Sequence, residues 1–430
     1  MRMIADLHVH SRFSRATSKR TNVKEIARFA EMKGLNLVGT GDFTHPQWIR
    51  ELHRELTEKP NTGLFKPAEP NNTTYFMITG EVSTVFAFGG ETKKIHHVIL
   101  TPSFETAAQI NDRLARFGDL TIDGRPTLEI TAPELVEEVM AVSSENEVIP
   151  AHVWTPWFSI FGAFSGFDRI EDCYQDMTSH IHALETGLSS DPPMNWRVSA
   201  LDGFTLVSNS DSHSCWPWRI GREANVFDLA NFTYNEILDT IRKKDPKRFK
   251  FTVETDPAYG KYHWTGHRNC NVSLPPQEAT KFDNRCPVCR RRLTKGVEQR
   301  VEELADRPTD FKPQNAIGYI RLLPLSEIIV TVLGVSSPSS RSVWEIYNKL
   351  VTKFGNEYAV LIDVARGEMS QIGYPKIAEA VVRVREGKAK ITPGYDGVYG
   401  QLILFEEDKM EVARDGKVPQ RSLTEWCNNT

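Results

Sequence analysis

The residues best suited to chemistry come six positions into the chain, in Asp6-Leu7-His8-Val9-His10. Side chains in a strand repeat every two residues, so a strand here puts Asp6, His8 and His10 on one face. Similar short pieces recur down the chain: Gly41-Asp42, Gly80-Glu81, His96-His97, Ala151-His152 and Asn209-Ser210-Asp211-Ser212-His213. Each supplies a His, Asp or Glu, the ligands that suit zinc, manganese, magnesium or iron. A lone His or Asp at a strand end is usually a turn or cap residue. An Asp-x-His-x-His strand answered two hundred residues later by Ser-Asp-Ser-His is hard to explain as packing, because such groups need partners or a metal when buried. The set predicts a multinuclear metal site, with Asp211, His213 and His152 as the candidate catalytic residues.

These pieces need a scaffold that gathers strand ends. Strands are expected at 3–7, 35–40, 75–79, 97–101, 147–150, 183–186 and 205–209. Helices are expected at 23–33, 47–56, 132–143 and 234–243. Repeated strand-helix units predict a parallel sheet or barrel, with the site at the carboxyl ends of the strands. This first domain spans residues 1–255. A zinc-binding domain follows at 256–306, then a mainly helical domain at 307–430 with helices at 342–354 and 374–386. The Gly394-to-Gly400 stretch follows Pro393 and reads as a turn, not a phosphate cradle.

The middle domain rests on His267-x2-Cys270 and Cys286-x2-Cys289, a spacing that suits one tetrahedral structural zinc. Beside it, Arg290, Arg291 and Arg292 suit backbone phosphates, or else form a solvated face balanced by Glu298, Glu302 and Glu303. An aromatic run directly after His152 holds Trp154 and Trp157. It is either core or, at the mouth of the site, a surface that stacks on or wedges between bases.

Composition sets limits. The chain has 430 residues, 40% hydrophobic and 25% charged, and a net charge of −4. Nucleic-acid binding would therefore have to come from local basic patches. No stretch is apolar and long enough for a membrane span. No secretory signal is visible, and the six cysteines do not form a disulfide pattern, so a reducing, cytoplasmic location is expected, with activity at the nucleoid.

In order, Asp-Leu-His-Val-His, Gly-Thr-Gly-Asp, Gly-Glu, His-His, Ala-His and Ser-Asp-Ser-His resemble the polymerase-and-histidinol-phosphatase (PHP) superfamily over about residues 1–250. The resemblance implies an α/β fold with a distorted (β/α)7 barrel and two to three divalent metals. It implies that His8, His10, Glu81 and Asp211 hold the first metal. Glu81 would bridge to a second, with His97 and His152, and Asp42 and His213 would hold a third. Asp42 stands where the superfamily commonly has His, and no His lies between Ser11 and Lys19.

A barrel, a zinc knuckle and a helical tail, together with Thr155-Pro156-Trp157, Leu184-to-Ser189, Gly260-Lys261-Tyr262-His263 and Pro393-to-Gly400, are similar to the endonuclease Q family over nearly the whole chain. His267 stands where that family would lead one to expect Cys. The resemblance implies a repair endonuclease. It would nick DNA on the 5′ side of deaminated bases (uracil, hypoxanthine, xanthine) and abasic sites, with the lesion flipped into a pocket. Gly187, Leu188, Ser189 and Asn209 lie beside the expected ligands and are the candidate pocket residues. DNA is the expected partner, and a sliding clamp is a further candidate. A small-molecule phosphatase of histidinol-phosphatase type is the alternative, and for it the zinc knuckle would be superfluous. A non-catalytic DNA-binding or scaffold protein is the third reading.

Overall fold

The computed structural model describes residues 1–69 and 71–405. The last part of the expected helical domain, residues 406–430, lies outside the described residues.

The barrel wall starts with Arg2–Asp6, which pairs in parallel with Leu37–Gly39, itself parallel to Tyr75–Phe88. From there the wall departs from the parallel pattern. Tyr75–Phe88 and Glu91–Thr101 form one long antiparallel hairpin, and Glu147–Pro150 adds antiparallel to it. The hairpin turns at Gly89-Gly90, both with positive φ, which a tight two-residue turn requires. On the other side, Arg2–Asp6 pairs antiparallel with Ala224–Asp228, which pairs antiparallel with Phe249–Glu254. The sheet is therefore mixed, because a direct hairpin replaces a helical crossover.

Alternation sorts the side chains into two layers. Met3, Ala5, Leu37, Met77, Val98, Leu100, Ile149, Ala183 and Val207 share one apolar cluster. Ile4, Val38, Phe76, Ile78, Ile99, Val148, Leu184 and Val226 face the helices in another. The helices carry matching stripes. Val23–Lys33 buries Val23, Ile26, Ala27, Phe29 and Ala30, is capped by Asn22, and ends at left-handed Gly34.

The parallel pair Ala183–Glu185 and Thr205–Val207 is not in the main ladder. Hydrogen bonds from loops and side chains close the ring instead. Val153 N–H donates to Glu185 O, Leu7 N–H donates to Asn209 Oδ1, and Ser208 N–H donates to Asn225 Oδ1. The result is an α/β fold with a distorted barrel.

The zinc segment is small. Thr265–His267 and Val272–Leu274 form a hairpin, and its own buried apolar residues are Val272, Cys286 and Leu293. So small a core cannot hold a fold without a staple. Beyond it, Gly318–Arg321 pairs in parallel with Phe249–Glu254. The chain after 307, read from sequence as a separate helical unit, thus begins with a strand in the barrel's sheet. Helices Leu325–Leu333, Arg341–Phe354 and Pro375–Arg385 then share the helix-facing core of the barrel. A buried Lys33–Glu357 ion pair at 2.7 Å joins the first helix to this unit. Among the described residues, no helix is long and apolar enough to cross a membrane.

Candidate metal centre and zinc knuckle

Two ligand groups meet at the barrel mouth, and they share Glu81. The first is His8, His10, Glu81 and Asp211; the second is Glu81, His96 and His152. His10 Nε2 lies 3.2 Å from Glu81 Oε2 and 3.1 Å from Asp211 Oδ1, and His8 Nε2 lies 3.4 Å from Glu81 Oε2. On the other oxygen, Glu81 Oε1 is 2.8 Å from His96 Nδ1 and 3.3 Å from His152 Nε2. Two ligand atoms about 2.1 Å from one tetrahedral ion stand about 3.4 Å apart, so these spacings fit metal coordination.

The surroundings aim the ligands. His8 Nδ1 lies 3.0 Å from both oxygens of Glu185, which also accepts from His152 N–H and Asn209 Nδ2. His10 Nδ1 is 2.8 Å from Asp42, and Asp42 accepts from Ser11 N–H and Oγ. His152 Nδ1 meets Thr155 Oγ1 at 2.9 Å. A carboxylate behind Nδ1 fixes the tautomer and turns the Nε2 lone pair inward. His8 Nε2 is buried without a hydrogen-bond partner, as a ligand awaiting an ion would be. Asp42, His152 and Asp211 all adopt positive φ, at 51°, 32° and 46°; strain of this kind costs on the order of 1–3 kcal/mol per residue and gathers at functional sites.

Charge agrees with the geometry. Burial opposes every charge here, yet His96, Arg125 and His8 hold the Glu81 carboxyl well below its usual range. Asp211 is likewise held low, against burial, by His213, His10 and His8. Burial lowers His8 and His10 too, but Glu185 and Glu81 carry the first, and Asp42 and Asp211 the second, well above an ordinary imidazole. Burial takes His96 down to about 4 despite Glu81, which leaves a neutral imidazole able to ligate.

Several expectations need correction. His97 is not in the centre; His96 takes its place. Glu81 stands opposite Val98 in the hairpin, so His96 shares its face and His97 points the other way. There His97 meets Tyr174 Oη at 2.9 Å and Thr84 Oγ1 at 3.0 Å. Asp6 does not join His8 and His10 either. The strand ends at Asp6, whose carboxylate accepts from Ser210 N–H and Oγ and from Gly221 N–H, pinning the loop that carries Asp211. Asp42 supports His10, and His213 lies against the His10 ring at 4.3 Å; the two form no third ligand group among the described residues. The short Asp42 side chain is held by His10 and Ser11, where a longer His would reach further.

The pocket residues divide. Asn209 is buried, with its amide committed to Leu7, Glu185 and Asn225, so it supports the centre from behind. Gly187 has φ of 62°, and a Cβ there would lie 2.6 Å from His152 Cβ, so only glycine fits. Leu188 and Ser189 are half-buried. Trp154 is core, with its indole N–H on Asn195 and Phe161 beside its ring. Trp157 is 40% exposed, stacked on Phe164 at 5.0 Å with Tyr262 edge-on.

Sequence reasoning missed Glu185 and Arg125. Glu185 lay in view, next to the candidate pocket. Arg125 donates to Glu81 Oε2 at 3.1 Å from a loop with no motif to mark it.

The second centre is shallow. His267, Cys270, Cys286 and Cys289 bring four ligand atoms together, with Cys289 Sγ 3.4 Å from His267 Nδ1. Burial raises the Cys286 thiol, but the backbone N–H groups of Cys289 and Val288 bring it down to about 6. The neighbouring Cys289 thiol takes Cys270 up to about 11. Arg290, at φ 64°, donates its N–H to Cys286 O and closes the knuckle. Arg290, Arg291 and Arg292 are exposed around it.

Comparison with known proteins concerns the chain as a whole. The family model for the MJ0043 C-terminal domain matches residues 324–388. The uncharacterized protein MJ0043 of Methanocaldococcus jannaschii is 36% identical over 266 residues, 61% of this chain. That match covers 32% of MJ0043, so the chain spans about a third of that relative. The crystal structure of the lesion-specific endonuclease PfuEndoQ from Pyrococcus furiosus is 33% identical, covers 97% of this chain and all of its own, and superposes with a TM-score of 0.84. An endonuclease Q complex with a 27-mer duplex bearing an abasic lesion at the active site is also 33% identical, over 95% of this chain and 98% of that one, at a TM-score of 0.83. With this identity held across nearly both full lengths, the chain belongs to the endonuclease Q family.

Proposed function

We propose that this chain is a metal-dependent DNA repair endonuclease that hydrolyses the phosphodiester on the 5′ side of uracil, hypoxanthine, xanthine and abasic sites. The observation that carries this is the pair of largely buried ligand groups sharing Glu81, with His8 Nε2 buried and without a hydrogen-bond partner. Two divalent metals fit them; His8, His10, Glu81 and Asp211 would hold one, and Glu81, His96 and His152 the other. When bound, such metals lower the pKa of a water and draw charge from phosphate oxygens.

The chain's own residues do the rest. Glu185 and Asp42 fix the ligating imidazoles. His213, beside Asp211 and brought down to about 4 mainly by burial, is a neutral imidazole placed to hydrogen-bond at the reacting phosphate. A base within a duplex is shielded, so the lesion must be flipped outward. The half-buried Leu188 and Ser189 beside the centre are the proposed rim of the pocket, where backbone N–H groups would donate to a keto oxygen and find no acceptor in an amine. The exposed Trp157 and Phe164 offer a stacking surface for the opened strand. Arg290, Arg291 and Arg292 would take backbone phosphates, and the knuckle ligands would hold one structural zinc. A sliding clamp remains a candidate partner.

The experiment compares duplexes carrying uracil, hypoxanthine, xanthine or an abasic site with an undamaged duplex and a phosphate monoester, each with chelator and with added manganese, magnesium or zinc. Metal-dependent nicking 5′ to the lesion is expected. Hydrolysis of the monoester with the lesion duplexes left intact would establish the phosphatase reading instead.

A further inference from the structure

The loop Asp119–Arg125 has no part in the site as read from sequence, yet it is held against the metal centre. Gly124 abuts Asp42 so closely that a Cβ there would lie 2.4 Å from Asp42 Oδ2. Gly124 N–H donates to Phe13 O, and Thr44 Oγ1 donates to Gly124 O. Asp123 Oδ1 accepts from the N–H groups of Arg15 and Arg125, Asp119 accepts from Thr121 N–H and Oγ1, and Thr121 O meets His45 Nε2. These bonds fix both flanks of Ile122. The Ile122 side chain itself is 66% exposed, one of the most exposed large apolar groups among the described residues. Three residues on, Arg125 reaches Glu81, and its side chain stays 24% exposed, so it stands between the metal ligands and solvent.

What sets Ile122 apart from other exposed apolar side chains is its place: its backbone is fixed on both flanks, two residues from the Gly124–Asp42 contact and three from Arg125. Apolar wedges of this type enter base steps and unstack them, and a part-exposed guanidinium beside the metal ligands suits a phosphate. We propose that this loop opens the duplex at the lesion, with Ile122 entering the stack beside the departing nucleotide and Arg125 binding a nonbridging oxygen of the scissile phosphate. The proposal rests on the endonuclease reading above. The spacing supports it: one loop, fixed to the ligand shell through Gly124, delivers a wedge and a phosphate clamp three residues apart.

The test uses the full chain and one deoxyuridine, in duplex and in single-stranded DNA, with 2-aminopurine beside the lesion to report unstacking. Ile122→Ala should raise the ratio of single-stranded to duplex cleavage about tenfold and remove the 2-aminopurine signal on binding, and Ile122→Met should restore both. Arg125→Ala should lower kcat in both contexts, and Arg125→Lys should recover part of it, since Lys keeps the charge and loses the fork. A ratio and a fluorescence signal that do not move in Ile122→Ala overturn the wedge; an unchanged kcat in Arg125→Ala overturns the clamp. If the wild-type chain cuts neither uracil substrate, the endonuclease reading itself falls.

Discussion

The barrel mouth and the knuckle both gather metal ligands, but they are built in opposite ways. At the mouth the ligands come from positions spread between His8 and Asp211, all but Asp211 are buried, and His8, His10 and His152 each stand on a second hydrogen-bonded group. In the knuckle the ligands fall within His267 to Cys289, and what supports them is the local backbone. The mouth is held by the fold and can afford strain. The knuckle has too little core to hold itself, so there a metal is proposed to hold the fold. The first arrangement suits chemistry and the second suits structure.

The largest test of that contrast is Cys286→Ser with Cys289→Ser. Structural zinc supplies about 10 kcal/mol of folding energy in small modules, so the variant should lose one zinc per chain and a large part of the middle segment's stability, while the barrel's metals remain. Elemental analysis with thermal unfolding reads both; a full zinc complement would break the comparison. Next is Asp211→Asn. Losing several kcal/mol of charge stabilisation should cut cleavage by about a thousandfold, with DNA affinity held within a few-fold by distant basic residues. Near wild-type cutting with added metal would remove Asp211 from the centre. Third, Glu185→Gln or Asp42→Asn should weaken metal binding roughly 10–100-fold, with activity recovered at higher metal concentration. An unchanged metal titration would mean that the supporting carboxylates do not aim the histidines.

The gentlest test is pH. Glu254 lies under the mouth, accepting from Thr186, Ser208 and Thr252 hydroxyls, and burial pushes its carboxyl up to about 8. The folded chain therefore keeps a proton that the unfolded chain releases near 4.5. This contribution to stability is complete below about 4.5 and is lost as the pH rises through about 8. Denaturant unfolding at pH 5 and pH 8 should show the barrel weakening with pH, and Glu254→Gln should flatten that slope. An equal slope in the variant would assign the effect elsewhere.

The same contrast explains what could be read from the chain. The knuckle was legible because four ligands in a short window need only spacing. At the mouth, residue types were legible and contacts were not. His96 and His97 are adjacent in sequence, and the choice between them depends on the register of a hairpin that the expected strands 75–79 and 97–101 stop short of, although Val82-to-Phe88 and Gly89-Gly90 carry a strand-and-turn signal. Asp42 and Asn209 were in the right place with the wrong task, because a side chain's partners are set by strands distant in sequence. Trp154 and Trp157 share one run, yet one is core and the other exposed; the loop's turn decides that, and composition does not. Arg125 and Ile122 had no signal at all, since their loop gains meaning only where Gly124 meets Asp42.

The strand Gly318–Arg321 lies parallel beside Phe249–Glu254, so the chain between them must travel from one end of the sheet back to the other. In an ordinary α/β unit a helix makes that journey. Here residues 255–317 make it, and they contain the candidate ligand group of His267, Cys270, Cys286 and Cys289. Left unfolded, a connection of this length costs about 4 kcal/mol to close; folded around its ion, it arrives already shortened. The edge strand and the helices behind it should therefore join the barrel late and in order, after the knuckle has taken up zinc. With zinc in the proposed site, metal supply would be a step in assembling the barrel's own wall. Refolding with and without zinc, followed at Trp344 in the helical unit, should resolve that order as a zinc-dependent slow phase.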